Sequence, residues 1–413
     1  MLKNRNKELL QLEEDFTKPY ATINFIFGRR KIGKTTLINE YTKNKNVLQL
    51  SSLETTKDFL LDNLKKSVND FFNNQNNIVI TTTYELFEYI SAQEIDEKLI
   101  LVIENINDLI SIDREFSNEM FLAWNKQLKN LNLQIILSSS TYSSILNAKH
   151  FKRPNNTIKL DSAKNENDSD YIHTILDSNI SYLKYYNKDL DFYANIENMF
   201  LKYDSPLFYE GINIIKNELN DIGTYLAILY AISVGNNKIG DIAAFINLKS
   251  TYITRYMQKL VDIMILDKKF PINDNPEKSK FGRYEFSDNF MKFWFCFIYP
   301  NFNLINQNKP QEVLQKIKLE FEEKILEHSC KKSLIYKIEN NYDEIIGFKP
   351  IKIGSWWNNR EKEIDIVAYN SKYIIFIDCY KKGHGDLESL EKELINKSKS
   401  FKTSLLQKYM IYK

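Results

Sequence analysis

The sequence is short of cysteine, of long apolar runs and of excess charge, and each shortage closes off a class of protein. Only three cysteines occur in 413 residues: Cys296, Cys330 and Cys379. They have no metal-ligand spacing and form no even framework, so a disulfide scaffold is excluded and a reduced, cytosolic setting is expected. No apolar run nears the roughly 20 residues that span a bilayer. The richest, 290–299, is too short and contains Lys292. The first residues are charged and carry no signal-peptide core. Lys and Arg number 56 against 54 Asp and Glu, a net charge of +2. That balance argues against a wholly basic nucleic-acid binder and leaves room for a local basic face. No internal repeat is present.

What is there is a globular composition, 43% hydrophobic and 27% charged, long enough for two or three domains. The most informative segment is Gly28-Arg29-Arg30-Lys31-Ile32-Gly33-Lys34-Thr35, which meets G-x-x-x-x-G-K-[ST] at every fixed position. Ile23-Asn24-Phe25-Ile26-Phe27 enters it as an apolar, β-branched strand, and Thr36-Leu37-Ile38-Asn39-Glu40-Tyr41 leaves it with helical spacing. Strand, loop and helix in that order are the context a phosphate loop requires. The glycines let successive N–H groups converge, and the helix N-terminus adds partial positive charge. Lys34 is expected on the β- and γ-phosphates, the Thr35 hydroxyl on Mg²⁺ and Thr36 near the α-phosphate. The ligand expected is ATP with Mg²⁺.

Apolar runs at 46–50, 78–82, 98–103 and 133–137 alternate with helical stretches, which predicts a parallel sheet covered on both faces. Ligands of such sheets lie at the carboxyl ends of the strands. There the sequence offers Glu104-Asn105 and Ser138-Ser139-Ser140. Residues 161–170 are polar and acidic and read as a linker, with a helical segment after them. Amphipathic helices are expected at 219–233, 238–245 and 250–260, and two strands at 264–270 and 282–287. Three helices and a hairpin are the winged helix-turn-helix plan. The tail gives a helix from about 311, strands at Glu363–Tyr369 and Tyr373–Cys379, and a charged helix from Leu387. The fold class is therefore α/β. A P-loop domain at 1–160 leads through 161–202 to a winged helix at 203–305 and a small α/β domain at 306–413.

In this order the chain resembles the archaeal-type ATPases of the AAA-related P-loop class. The resemblance rests on Asn4-Arg5-Asn6-Lys7-Glu8-Leu9, the loop, Asp221-Ile222-Gly223-Thr224-Tyr225 and Phe293-Trp294-Phe295-Cys296-Phe297-Ile298-Tyr299-Pro300-Asn301. Ile353-Gly354-Ser355-Trp356-Trp357 and Glu363-Ile364-Asp365-Ile366-Val367-Ala368 complete it. It implies ATP binding, ATPase activity, a winged-helix middle and a tail similar to PD-(D/E)XK nucleases; with Mg-ATP between the loop and the following helical domain, the nucleotide state is expected to control the winged helix's orientation.

The sequence departs from that pattern twice. The second nucleotide motif ends in Asp-Glu, whereas this strand ends Ile103-Glu104-Asn105. Glu104 keeps a carboxylate for Mg²⁺. Asn105 orients water but takes no proton at neutral pH, and a general base contributes about 10²–10⁴-fold. Weak hydrolysis is expected, with positioning and electrostatics sustaining a residual rate. Asp108 reads as a solvated acid. The three serines suit either a γ-phosphate contact or a helix cap. Arg153 matches a family arginine and otherwise reads as a surface residue.

In the tail, Glu322, Asp365 and Asp378 match acidic positions that would hold a divalent metal. Tyr380 stands where the motif wants lysine, and Lys381 would point to the other face. An inactive nuclease scaffold is expected, with a metal-dependent nuclease as the alternative, and Trp356 and Trp357 are expected in its core. On the winged helix, Lys249, Arg255 and Lys259, with Tyr252 and Tyr256 among them, and on the wing Lys278, Lys280 and Arg283, suit phosphate contacts with DNA. The same fold also serves protein partners. No membrane partner is expected.

Overall fold

A computed structural model describes residues 5–51, 55–74, 79–141, 145, 148–151, 153–160, 171–176, 179–358, 362–380 and 386–412. The linker at 161–170 and Lys381 lie outside the described residues. The chain forms two compact units. The first holds residues up to 160 with short pieces at 179–181 and 262–264, and the second holds the rest.

The first unit is a five-stranded, wholly parallel sheet in the order β2-β3-β4-β1-β5. Its strands are β1 (Thr22–Phe27), β2 (Val47–Leu50), β3 (Leu99–Ile103), β4 (Leu133–Ser139) and β5 (Asn156–Lys159). The helices are α1 (Asn6–Phe16), α2 (Lys34–Tyr41), α3 (Lys57–Phe71), α4 (Thr83–Ser91), α5 (Ile106–Ile112) and α6 (Phe116–Lys126). The two-residue strand period divides the core. Ile23, Phe25 and Phe27 face one cluster with Leu101, Ile135 and the α4 residues Leu86 and Ile90. Ile26, Ile100, Val102 and Ile136 face the other, with Leu37 and Ile38 of α2 and Leu12 of α1.

One polar group in this core went unread in the sequence. Asn24, inside an apolar strand, donates to the buried Asp15 of α1 at 2.5 Å. Asn156 also donates to Asp15, and Gln134 donates to Asn24 and to the carbonyl of Leu12. The Tyr41 hydroxyl donates to the same carbonyl at 3.0 Å. Each polar atom replaces water with a protein partner, which is what makes its burial tolerable.

Of the expected strand at 78–82, the described residues 79–82 form none. Thr82 instead caps α4: its side chain accepts from the Glu85 N–H, and Glu85 reaches back to the Thr82 N–H. This is a capping box. Three threonines in a row have the β-branched look of a strand, yet here the last of them starts a helix.

In the second unit, helices Ile222–Ser233, Ile239–Phe245 and Ser250–Asp262 precede the antiparallel pair β6 (Leu266–Lys269) and β7 (Arg283–Phe286). This is the expected winged-helix order. A second sheet runs β11-β10-β9-β8, built from β8 (Lys352–Trp357), β9 (Glu363–Tyr369), β10 (Tyr373–Cys379) and β11 (Leu406–Tyr412). All its pairs are antiparallel except β10–β11, which the helix Leu387–Ser398 joins as a crossover. Trp356 and Trp357 are buried, as expected of core residues. The Trp357 indole N–H donates to the Phe281 carbonyl at 2.9 Å. Among the described residues no helix is long and apolar enough to cross a membrane.

Candidate functional site

The loop's shape requires its glycines. Gly33 has φ +99°, a left-handed conformation in which a side chain is strained. A Cβ on Gly28 would lie 2.7 Å from the Leu160 carbonyl oxygen. Lys31 is also left-handed at φ 66°. Lys34 is buried, and its ammonium donates to the carbonyls of Gly28 at 2.5 Å and Arg29 at 3.1 Å. Thr35 and Thr36 are exposed on the first turn of α2, and Ile32 packs against the core beneath the loop.

Strand order brings the acid to the loop. β4 lies between β1 and β3, so the ends of three adjacent strands meet beside residues 28–36. The Thr35 hydroxyl donates to Glu104 Oε2 at 3.1 Å. Gln49 of β2 donates to Glu104 Oε1 at 2.9 Å. Glu104 is 7% exposed, so both contacts hold a largely buried carboxylate. Gln49 escaped the sequence reading because no motif marks it. It enters through the β2–β3 register, opposite Val102 and two residues short of Glu104.

Asn105 has φ 49° and ψ 54° and is exposed at the start of α5. Asparagine is among the few residues that adopt this left-handed region readily. Its N–H donates to Ser138 Oγ at 3.0 Å. Ser139 and Ser140 bond Asn107 at 2.7 and 2.6 Å, so the serines fasten the turn after β3. Asp108 is not simply solvated: it pairs with Arg30 of the loop at 3.0 Å. Arg153 is exposed just ahead of β5.

In the second unit, Asp365 and Asp378 are brought together. The Asp365 N–H donates to Asp378 at 3.0 Å, and the Cys379 N–H donates to Asp365 at 2.9 Å. Both line a cavity of about 450 Å³ with Glu363, Lys331, Lys397 and His328. Glu322 is not among its lining residues. The chain passes through a π-helical turn at Glu322–Leu326, which turns Glu323 and Glu327 to the cavity and leaves Glu322 exposed near Tyr193.

Lysines missing from the strand motif arrive from helices. Lys331 pairs with Asp365 at 2.7 Å and Glu363 at 3.1 Å, and Lys397 with Asp378 at 2.9 Å. Burial works against the charge on Lys331, but Asp365 and Glu363 outweigh it and the pKa rises. Burial lifts the pKa of Asp378, with Lys397 pulling the other way. Tyr380 is exposed.

On the helix Ser250–Asp262, Arg255 and Lys259 are exposed, with Lys249 just ahead of it. Arg255 lies 5.0 Å from the ring centroids of both Tyr252 and Tyr256. Arg283 does not serve the wing as expected. It pairs with Glu363 at 2.6 Å and stacks 4.6 Å from the Trp357 ring, facing the C-terminal sheet.

The loop, the parallel sheet and the carboxylate beside Thr35 define a class: the chain belongs to the P-loop NTPase superfamily. Residues 294–393 match the DUF234 family, described as archaeal and bacterial proteins of unknown function. An uncharacterised protein of Methanocaldococcus jannaschii is 26% identical over 430 residues, covering 99% of this chain and 94% of that one. An uncharacterised ATP-binding protein of the same organism is 37% identical over 51 residues, 12% of this chain and 86% of its own length. Among solved structures, the Walker-type ATPase of Pyrococcus abyssi aligns with a TM-score of 0.48 at 14% identity, over 70% of this chain and 95% of that one.

Proposed function

We propose that this chain is an ATP-binding protein of the archaeal-type ATPase family, with Mg²⁺ at its site and slow hydrolysis. The observation that carries the reading is the 3.1 Å contact between Thr35 and Glu104. Those are the two oxygen-bearing groups that Mg²⁺ needs beside a phosphate loop, and oxygen donors are what that cation takes. The residues present fit the nucleotide as well. Lys31 and Gly33 adopt the left-handed backbone that anion-binding loops use, and Lys34 is already held among the loop carbonyls. Bound Mg²⁺ would neutralise charge on the β- and γ-phosphates. Thr35 and Glu104 would hold it, Gln49 would keep Glu104 oriented, and Lys34 would meet the phosphate oxygens. Asn105 supports the slow-hydrolysis part, because an amide orients water without accepting its proton.

The test compares Mg-ATP affinity and turnover in wild type, Lys34→Ala and Asn105→Glu. Wild type binds, Lys34→Ala loses at least about tenfold in affinity, and Asn105→Glu gains roughly 10–100-fold in turnover. Wild type that fails to bind Mg-ATP overturns the proposal. Fast, Lys34-dependent hydrolysis by wild type overturns only the slow-turnover part.

A second reading is a DNA-binding regulator that uses ATP as a structural ligand. It is supported by the exposed Arg255 and Lys259 on one helix and Lys249 just ahead of it. Backbone contacts of this kind weaken steeply with salt. A titration showing no DNA binding at low salt, with or without ATP, removes it.

A further inference from the structure

Two of the three cysteines meet in the second unit, on different elements. Cys330 lies on the helix Glu327–Ile345 and Cys379 ends β10. Leu334 and Ile338 continue the Cys330 stripe at helical spacing, and both are buried against Ile366, Ala368, Ile375 and Ile377. Ile375, Ile377 and Cys379 share one face of the strand at its two-residue period. Stripe and strand face therefore run alongside each other and bring the two sulfurs into side-chain hydrogen-bond contact. Cys379 is buried and Cys330 is partly exposed. Cys296 is engaged elsewhere, its thiol donating to the Ser233 carbonyl at 3.6 Å.

We propose that Cys330 and Cys379 are an oxidisable thiol pair, a modification site that closes to a disulfide in the presence of hydrogen peroxide. Cys330, the more accessible sulfur, attacks one peroxide oxygen. The O–O bond breaks, Cys330 becomes a sulfenic acid and one water leaves. Cys379 then attacks the Cys330 sulfur, the S–O bond breaks and a second water leaves with the thiol proton. Two thiols lose two electrons in total, and one peroxide is reduced to two waters. The order fits the surroundings of Cys379. It is buried, so peroxide meets the partly exposed Cys330 first, and Cys379 is the neighbour within reach of the sulfenic acid that forms.

The bond would join positions 330 and 379 and fasten helix to sheet beside the acidic cavity. The Cys379 N–H already donates to Asp365, and Lys331, next to Cys330, pairs with the same carboxylate. Oxidation would therefore fix both approaches to Asp365. A cross-link closing so long a loop restricts the unfolded chain, so the oxidised form melts at a higher temperature.

The experiment treats the full chain with hydrogen peroxide in the absence of denaturant, alkylates the remaining thiols and maps peptides by mass. Expected is the loss of two of three alkylatable thiols, a linked peptide pair containing Cys330 and Cys379 within one chain, and reversal by dithiothreitol. Cys296→Ser leaves this result unchanged. Cys379→Ser stops the cross-link and leaves a Cys330 sulfenic acid that dimedone captures. Three alkylatable thiols after peroxide, or a link that includes Cys296 or joins two chains, overturns the proposal. The wild-type peptide map is decisive even where a serine variant folds poorly, and none of the readouts involves nucleotide.

Discussion

At the scale of single residues, Lys292 shows how burial is tolerated around the C-terminal cavity. It lines that cavity, and burial lowers its pKa to about 8 from 10.5. Below about 8 the folded protein carries an ammonium that its surroundings disfavour. Between 8 and 10.5 the folded state has released the proton while the unfolded chain still binds it, so stability rises with pH across that window. Lys292→Met is expected to stabilise the fold by about 1–3 kcal/mol at pH 7, with the gain shrinking as pH climbs towards 10.5. Denaturant melts of both proteins at pH 7 and pH 10 check this, and an equal gain at both contradicts it. Asn105 offers a different lesson. In the sequence it stood out as a lost base, whereas its left-handed backbone gives asparagine a structural reason to be there. The Asn105→Glu variant therefore carries a small conformational cost, of roughly 1 kcal/mol.

At the scale of elements, legibility followed burial. β9 and β10 were read to the residue because β9 alternates polar Glu363 and Asp365 with buried apolar residues and β10 carries a continuous buried apolar run. β5 and β11, edge strands of their sheets, were not read. β5 buries only Ile158, and no residue of β11 is fully buried, so neither leaves a clear apolar pattern. The site divided in the same way. The loop and Glu104 are written in local motifs, while Gln49, Lys331 and Lys397 reach their carboxylates from separate elements and carry no local signal. Glu322, taken from the resemblance, is not among the cavity's lining residues, which include Glu323 and Glu327 of the π-helical turn and the helix after it. The capping box at α4 gives a quantitative check. Thr82→Ala is expected to cost about 1 kcal/mol, while Thr82→Ser retains most of it. Denaturant midpoints for the pair measure this, and equal midpoints for wild type and the alanine variant refute the capping role.

At the scale of the molecule, each compact unit holds its own buried clusters, two around the parallel sheet and two around the C-terminal sheet. Unfolding of such a chain departs from a single two-state transition. Calorimetry is expected to resolve two transitions, and Mg-ATP to raise only the one belonging to the phosphate-loop unit, by mass action on its folded state. Lys34→Ala should abolish that rise and leave the other transition in place. A single transition that shifts as a whole would mean that the units unfold together.

The place of β4 has a consequence for movement at the site. Its last residues touch both partners: the Ser139 carbonyl accepts from the Gly28 N–H at 3.2 Å, and the Ser138 hydroxyl accepts from the Asn105 N–H at 3.0 Å. The strand tip thus acts as a spacer of fixed width between the loop and the turn that follows Glu104. Neither side can be adjusted alone. Whatever displaces the loop pulls the Glu104 turn with it, so a change at the phosphates becomes a change at β4 and the turn it fastens.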